Sequence, residues 1–265
     1  MHEELETTVV EFDADTNVGS VALDRPDALN ALSGQLRDDI VEGLRLLEAQ
    51  NEDADGVALR AVVLQGAGGN FCAGADVNEF SDESAGATSE RSHYAFIREF
   101  PVPVIAKIEG YCLGGGLETA MSCDMRIAHE EARLGLPEVD LGIIPGAGGV
   151  QMVSQLANPA AAMEIAMTGD HIGADRAADL GIVNRVYGDD EFDEEVEAFA
   201  ETIAAKPPLA IQAIKESARK ATQVGLEEGI AYDQQQFEPL LATEDYEEGA
   251  RAFAEDDYEP EFRGR

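Results

Sequence analysis

The chain has no tryptophan, three cysteines and, among its 18 basic residues, only four lysines: Lys107, Lys206, Lys215 and Lys220. Cys72, Cys112 and Cys123 are too few to frame a chain of this length with disulfides, and no CxxC pair offers a zinc site. The scarcity of positive charge excludes nucleic acid and anionic membrane surfaces as natural partners. No apolar run approaches the roughly 18 residues that a membrane-spanning helix needs. The opening Met-His-Glu-Glu-Leu-Glu has neither a basic nor an apolar stretch, so no signal peptide is expected. A reduced, cytoplasmic setting follows. His2, His93, His129 and His171 stand in no HExxH or HxH spacing and read as surface or core residues. G-x-S-x-G and GxxxxGK[ST] are absent too, which excludes a nucleophile-elbow hydrolase and a P-loop NTPase.

What is present is acid. The 265 residues carry 54 Asp and Glu, for a formal net charge of −36, yet 45% of residues are hydrophobic, so the chain can bury a large single core. Residues 1–100 hold 21 of the acids, 101–180 hold 11 and 181–265 hold 22, so the charge coats the chain and is not a tail. An acidic, lysine-poor surface around an ordinary core fits a salt-loving microbe, whose cytoplasm screens the self-repulsion.

Val9–Phe12 and Val18–Leu23 are short β-branched runs with a turn between them, which predicts a hairpin. Ser33 is placed to cap a helix with Leu36, Ile40, Leu44 and Leu47 on one face. Strands are expected at Ala61–Gln65, Pro103–Ile108 and Met125–Ala128, a mobile polar segment at Ser81–Ser92, and helices at Tyr94–Phe100 and from the Gly114-Gly115-Gly116 run to Ser122. Residues 1–190 therefore read as an α/β layer with crossover connections, and 191–265 as a helical region.

Two loops after strands stand out: Phe71-Cys72-Ala73-Gly74-Ala75-Asp76 and Gly110–Glu118. Each can expose a backbone N–H, and two N–H groups aimed at one point can hold a developing oxyanion. Glu118 falls in the first turn of the helix that the glycines open. Glu138 lies among Leu134, Leu136, Val139, Leu141, Ile143 and Ile144, surroundings that would raise its pKa toward acid–base work.

These segments, with Cys123-Asp124 and the run Pro137–Gly149, resemble the signature blocks of the crotonase (enoyl-CoA hydratase/isomerase) superfamily. Leu23–Leu32 is similar to its N-terminal block, and Ala204–Pro208 with Lys215-Glu216 to its C-terminal one. The resemblance implies an α/β, crotonase-like spiral of repeated ββα units: a core at 1–190 with the CoA site, and a C-terminal helical trimerisation region at 191–265. It implies an oxyanion hole at Ala75 and Gly115, catalytic glutamates at Glu118 and Glu138, and substrate contacts at Ala28, Ala73, Ala75, Asp76, Val77, Asn78 and Gly115. The activity implied is reversible hydration of a 2-enoyl-CoA, as in fatty acid β-oxidation, by a homotrimer or dimer of trimers, with acyl-CoA as substrate and no metal or redox cofactor. An enoyl-CoA isomerase needs only one base, and retention of both glutamates separates the hydratase from it. A non-enzymatic relative would be expected to lose a glutamate or gain a basic patch.

The sequence departs from the family where CoA phosphates are met. Asn78 and Asp27 stand where basic residues are usual, and the stretch Glu255–Glu259 is acidic; apart from these, Met152 stands where an arginine is common, which nothing in the sequence explains. Bulk cations would have to supply part of the missing charge. Melting temperature is therefore expected to rise, and KM for crotonyl-CoA to fall, as KCl goes from about 0.1 to about 3 M, where screening shortens to roughly 3 Å or less. Maximal stability and affinity at the low end would refute the salt-adapted reading.

Overall fold

The computed structural model describes residues 1–76, 79, 92–255 and 257–265. Strands β1 (His2–Glu4), β2 (Thr8–Asp13) and β3 (Val18–Leu23) form an antiparallel meander, which includes the expected hairpin. Helix α1 (Gly34–Glu48) follows, with Ser33 Oγ accepting the Leu36 N–H at 3.1 Å. Next come β4 (Ala61–Gly66), α2 (His93–Glu99), β5 (Val104–Ile108), β6 (Tyr111–Leu113), α3 (Gly115–Ser122), β7 (Met125–His129) and β8 (Arg133–Gly135). Helices α4 (Gly149–Leu156) and α5 (Pro159–Thr168), β9 (Ile172–Gly173), α6 (Ala174–Asp179) and β10 (Arg185–Tyr187) complete the mixed part. Four helices close the chain: α7 (Phe192–Ala204), α8 (Pro208–Lys220), α9 (Leu226–Leu240) and α10 (Glu244–Ala254).

The large sheet has the order β1-β2-β3-β4-β5-β7-β10, parallel from β3 onward, and β6-β8-β9 form a second, small sheet. Strand side chains alternate between faces. Val62 and Leu64 of β4 therefore meet the α1 cluster of Leu36, Ile40, Leu44 and Leu47, while Val63 joins Ile105, Ile127 and α7 residues Phe192, Val196 and Ala200 on the other face. Burial on both faces explains why β4 and β5 read as continuous apolar runs and not as alternating ones. The four α1 side chains are fully enclosed, a contribution of about 1.5–3 kcal/mol each. Most of the expected segment Ser81–Ser92 lies outside the described residues. The short strands β1, β6, β8, β9 and β10 and the helices α4–α6 carry no pattern strong enough to be read in advance.

The last helices are moored by ion pairs and backbone bonds. Lys215 of α8 is buried, and its Nζ donates to Asp124 Oδ2 at 2.6 Å and to the Val102 carbonyl at 2.9 Å. Asp124 Oδ2 also accepts the Val104 N–H at 2.8 Å, so one carboxylate joins the end of α3, the start of β5 and α8. The final residues return to the Asp245 carboxylate, which accepts the N–H groups of Arg263 and Gly264. Among the described residues, no helix is long and apolar enough to cross a membrane.

Removing one partner of a buried pair leaves the other charge uncompensated, so Lys215→Met should cost about 3–5 kcal/mol of unfolding free energy. Adding Asp124→Leu should restore much of it. Urea unfolding at fixed salt reads both, and an undiminished midpoint for the single variant would contradict this account.

Candidate active site

The site begins at the turn after β3. Asn30 is fully buried at φ +55°, where a short polar side chain can bond locally. Its Oδ1 accepts the Arg25 N–H at 2.8 Å, and its Nδ2 donates to the carbonyls of Ala67 and Asn70 at 2.9 and 2.7 Å. The turn is thus joined to the loop after β4. Three further bonds align the two segments: Ala73 N–H to Leu29 O at 3.0 Å, Leu32 N–H to Gly74 O at 2.8 Å, and Asp76 N–H to Leu32 O at 3.2 Å. Ala75 lies between bonded neighbours, and its own N–H has no partner among the described residues.

That loop is fastened to the glycine run by a single parallel bridge between Cys72 and Cys112. Cys72 N–H donates to Tyr111 O at 2.9 Å, and Leu113 N–H donates to Cys72 O at 3.0 Å. The chain then reverses at Gly114, whose φ of +50° suits glycine, and α3 starts at Gly115. A Cβ on Gly116 would stand 2.2 Å from the Cys72 carbonyl oxygen, so only glycine allows this approach. The point that a Cβ on Gly115 would occupy lies 3.8 Å from Ala75 N and 3.1 Å from Tyr94 Oη. The Ala75 N–H, without a partner among the described residues, and the N-terminus of α3 therefore adjoin.

Glu118, in the first turn of α3, is 3% exposed. Its Oε1 accepts the N–H groups of Ala147 and Gly149, both at 2.8 Å. Burial raises its pKa, and the backbone N–H groups of Gly149, Ala147 and Gly148 oppose the rise. Glu138 sits in a 3-10 turn, Pro137–Leu141. Its Oε1 is 3.0 Å from where a Cβ on Gly114 would stand, and its Oε2 is buried without a hydrogen-bond partner. Burial raises the Glu138 pKa as well; its own backbone N–H opposes the rise, and the charge of Glu118 adds to it. One expectation needs correction. Leu134 and Leu136 are buried, but Val139, Leu141, Ile143 and Ile144 are 40–77% exposed, so they do not enclose Glu138. Its carboxyl is shielded by lying in against Gly114.

Ala28 is half-buried in a 3-10 turn, Pro26–Ala28, and its carbonyl accepts the Ala31 N–H. The Ala73 N–H is engaged by Leu29, as above. Asp76 turns its carboxylate to Arg25 Nη2 at 2.9 Å, while Arg25 also donates to the Ala31 carbonyl. Asp76 thereby braces the loop that carries Ala75. Val77 and Asn78 lie outside the described residues. Sequence reading passed over Tyr94 and the loop N–H groups that clamp Glu118. A single aromatic in a short helix and bonds between distant backbone segments leave no local signal.

The family model for enoyl-CoA hydratase/isomerase matches residues 13–265. The chain is 38% identical to the 2,3-dehydroadipyl-CoA hydratase of Escherichia coli K12 over 248 residues, covering 92% of this chain and 94% of that protein. Among solved structures it is similar to an enoyl-CoA hydratase subunit of Geobacillus kaustophilus HTA426, with a TM-score of 0.89, 37% identity and coverage of 99% and 100%. It is also similar to the enoyl-CoA hydratase of Mycobacterium tuberculosis H37Rv, with a TM-score of 0.87, 31% identity and coverage of 98% and 100%.

Glu118→Gln keeps an oxygen for the Ala147 and Gly149 N–H groups while removing a charge that burial disfavours. Because the folded pKa is raised, wild-type stability is complete below the ordinary value of 4.5 and is lost as pH rises through the higher folded value. The variant should therefore melt above wild type by about 1–4 °C near pH 7, with the gap closing as pH falls toward the ordinary carboxylate range. Parallel thermal scans across pH check this; a gap that widens on acidification would reverse the assignment.

Proposed function

The chain belongs to the enoyl-CoA hydratase/isomerase family, and on that premise we propose that it adds water reversibly across the C2=C3 bond of a 2-enoyl-CoA thioester to give a 3-hydroxyacyl-CoA. The observation that carries this reading is the joint placement of two carboxyls, each with a raised pKa, beside two unpaired N–H groups. The thioester oxygen accepts the N–H groups of Ala75 and Gly115. The enolate charge that builds during addition is stabilised there and by the N-terminus of α3. Glu118 and Glu138 hold one water between them. Glu118, whose Oε1 takes two backbone N–H bonds, is the better carboxylate and removes a proton from the water as its oxygen attacks C3. Glu138, with a buried and unpartnered Oε2, is the better acid and delivers a proton to C2. In the reverse direction the roles exchange, and the apparent pKa values belong to the pair. This route calls for neither a metal nor a redox cofactor.

Three finer points belong to the same proposal. Lys215 is buried and Lys107 is paired with Asp193, so two of the four lysines add little positive surface, which supports the salt-adapted reading. Ile214, Ile230 and Phe237 stand exposed on α8 and α9, an apolar face that supports assembly into trimers or paired trimers. Three buried free thiols suit a reducing cytoplasm, where β-oxidation is a fitting role.

Hydration of crotonyl-CoA in molar KCl, followed by loss of the conjugated thioester absorbance, tests the activity. Glu118→Gln and Glu138→Gln should each lower kcat at least about 10²-fold. Near-full hydratase activity in Glu118→Gln would overturn the two-carboxylate mechanism, and movement of a 3-enoyl double bond by that variant would point to an isomerase.

A further inference from the structure

Tyr94 has no part in the mechanism above, yet its hydroxyl stands at the candidate oxyanion hole. Its Oη is 3.1 Å from the point that a Cβ on Gly115 would occupy, the same point that lies 3.8 Å from Ala75 N. No described residue hydrogen-bonds to this hydroxyl. The ring is held by a closed chain of contacts. Thr119 Oγ1 donates to the Gly115 carbonyl at 2.9 Å, and His93 Nε2 lies 3.0 Å from the same Oγ1. Because the Thr119 proton is committed, His93 must donate from Nε2. The His93 and Tyr94 ring centroids are 3.8 Å apart, which returns the chain to Gly115. Burial lowers the His93 pKa to about 3, so the imidazole stays neutral. The Tyr94 phenol is held well above its ordinary range, first by burial and then by the charge of Glu118, with a smaller push from Glu138. The phenol therefore keeps its proton and acts as a donor at every pH at which the carboxyls work.

We propose that Tyr94 Oη donates a third hydrogen bond to the thioester oxygen, beside the N–H groups of Ala75 and Gly115, and takes up part of the enolate charge. A donor aimed at charge that grows during the reaction lowers the barrier more than it tightens ground-state binding. The proposal rests on the acyl-thioester reading of the site, and its test separates the two. The probe is a 2,4-dienoyl-CoA, whose absorption moves to the red when its carbonyl is polarised. Wild type should show the shift on binding. Tyr94→Phe should lose a measurable part of it, with kcat for crotonyl-CoA lowered about 10- to 10²-fold, KM within about threefold and an unchanged melting temperature. An intact red shift in Tyr94→Phe overturns the proposal, whether kcat falls or not, since the phenol would then act elsewhere or not at all. So does the absence of any shift in wild type. A shift that Tyr94→Phe diminishes, in a wild-type protein that does not hydrate crotonyl-CoA, supports the third donor while refuting the hydratase. If the phenylalanine variant does not fold, a ring-fluorinated tyrosine at position 94 decides: a larger red shift supports the proposal and an unchanged one overturns it.

Discussion

Two backbone hydrogen bonds between Cys72 and the strand Tyr111–Leu113 hold the loop of Ala75 against the start of α3, and the rest of the site depends on that junction. The loops are separated by more than 30 residues of chain. Without the junction, neither N–H would have the other as a neighbour. The close approach is possible because Gly116 has no side chain to meet the Cys72 carbonyl. All eight residues of α3 are buried, so its backbone dipole acts with little screening by water.

The same dehydration governs the acids. Of 54 carboxyl side chains, most lie where water and salt screen them, whereas Glu118 and Glu138 are moved out of water and toward each other. Their surroundings differ in one respect. Glu118 Oε1 accepts two backbone N–H groups, and Glu138 keeps a buried Oε2 with no hydrogen-bond partner among the described residues. A sequence dense in acid therefore carries a site in which negative charge is costly, because local burial and not net charge sets the proton affinity.

The sequence was legible where structure is local. Ser33 capping α1, the β2–β3 hairpin and the helix opened by glycines each depend on a few adjacent residues and were found as expected. The candidate site was legible through its two loops and two glutamates, because those motifs lie contiguously in the chain. What could not be read depends on long-range partners. The strands β6, β8 and β9 are two or three residues long and exist through pairing with one another. Asp76 is implied as a substrate contact by the resemblance, and its pairing with Arg25, 51 positions earlier, is one that no local pattern reveals. The apolar stretch Val139–Ile144 suggested enclosure, and the fold turns it outward, beyond what periodicity within one segment can reveal.

The groups proposed to hold the thioester oxygen, the N–H groups of Ala75 and Gly115, belong to the main chain, and every non-proline residue supplies an identical one. Replacing the side chain at position 75 leaves the donor in place, so a conventional alanine or chemical-diversity scan would pass over it in silence. Mutational robustness follows from that proposal: substitutions would retune what happens at C2 and C3 while the two main-chain donors are inherited intact. On that proposal two of the donors are written in the path of the backbone, and an edit to the peptide bond itself, such as an ester in place of an amide, would reach them without altering any side chain.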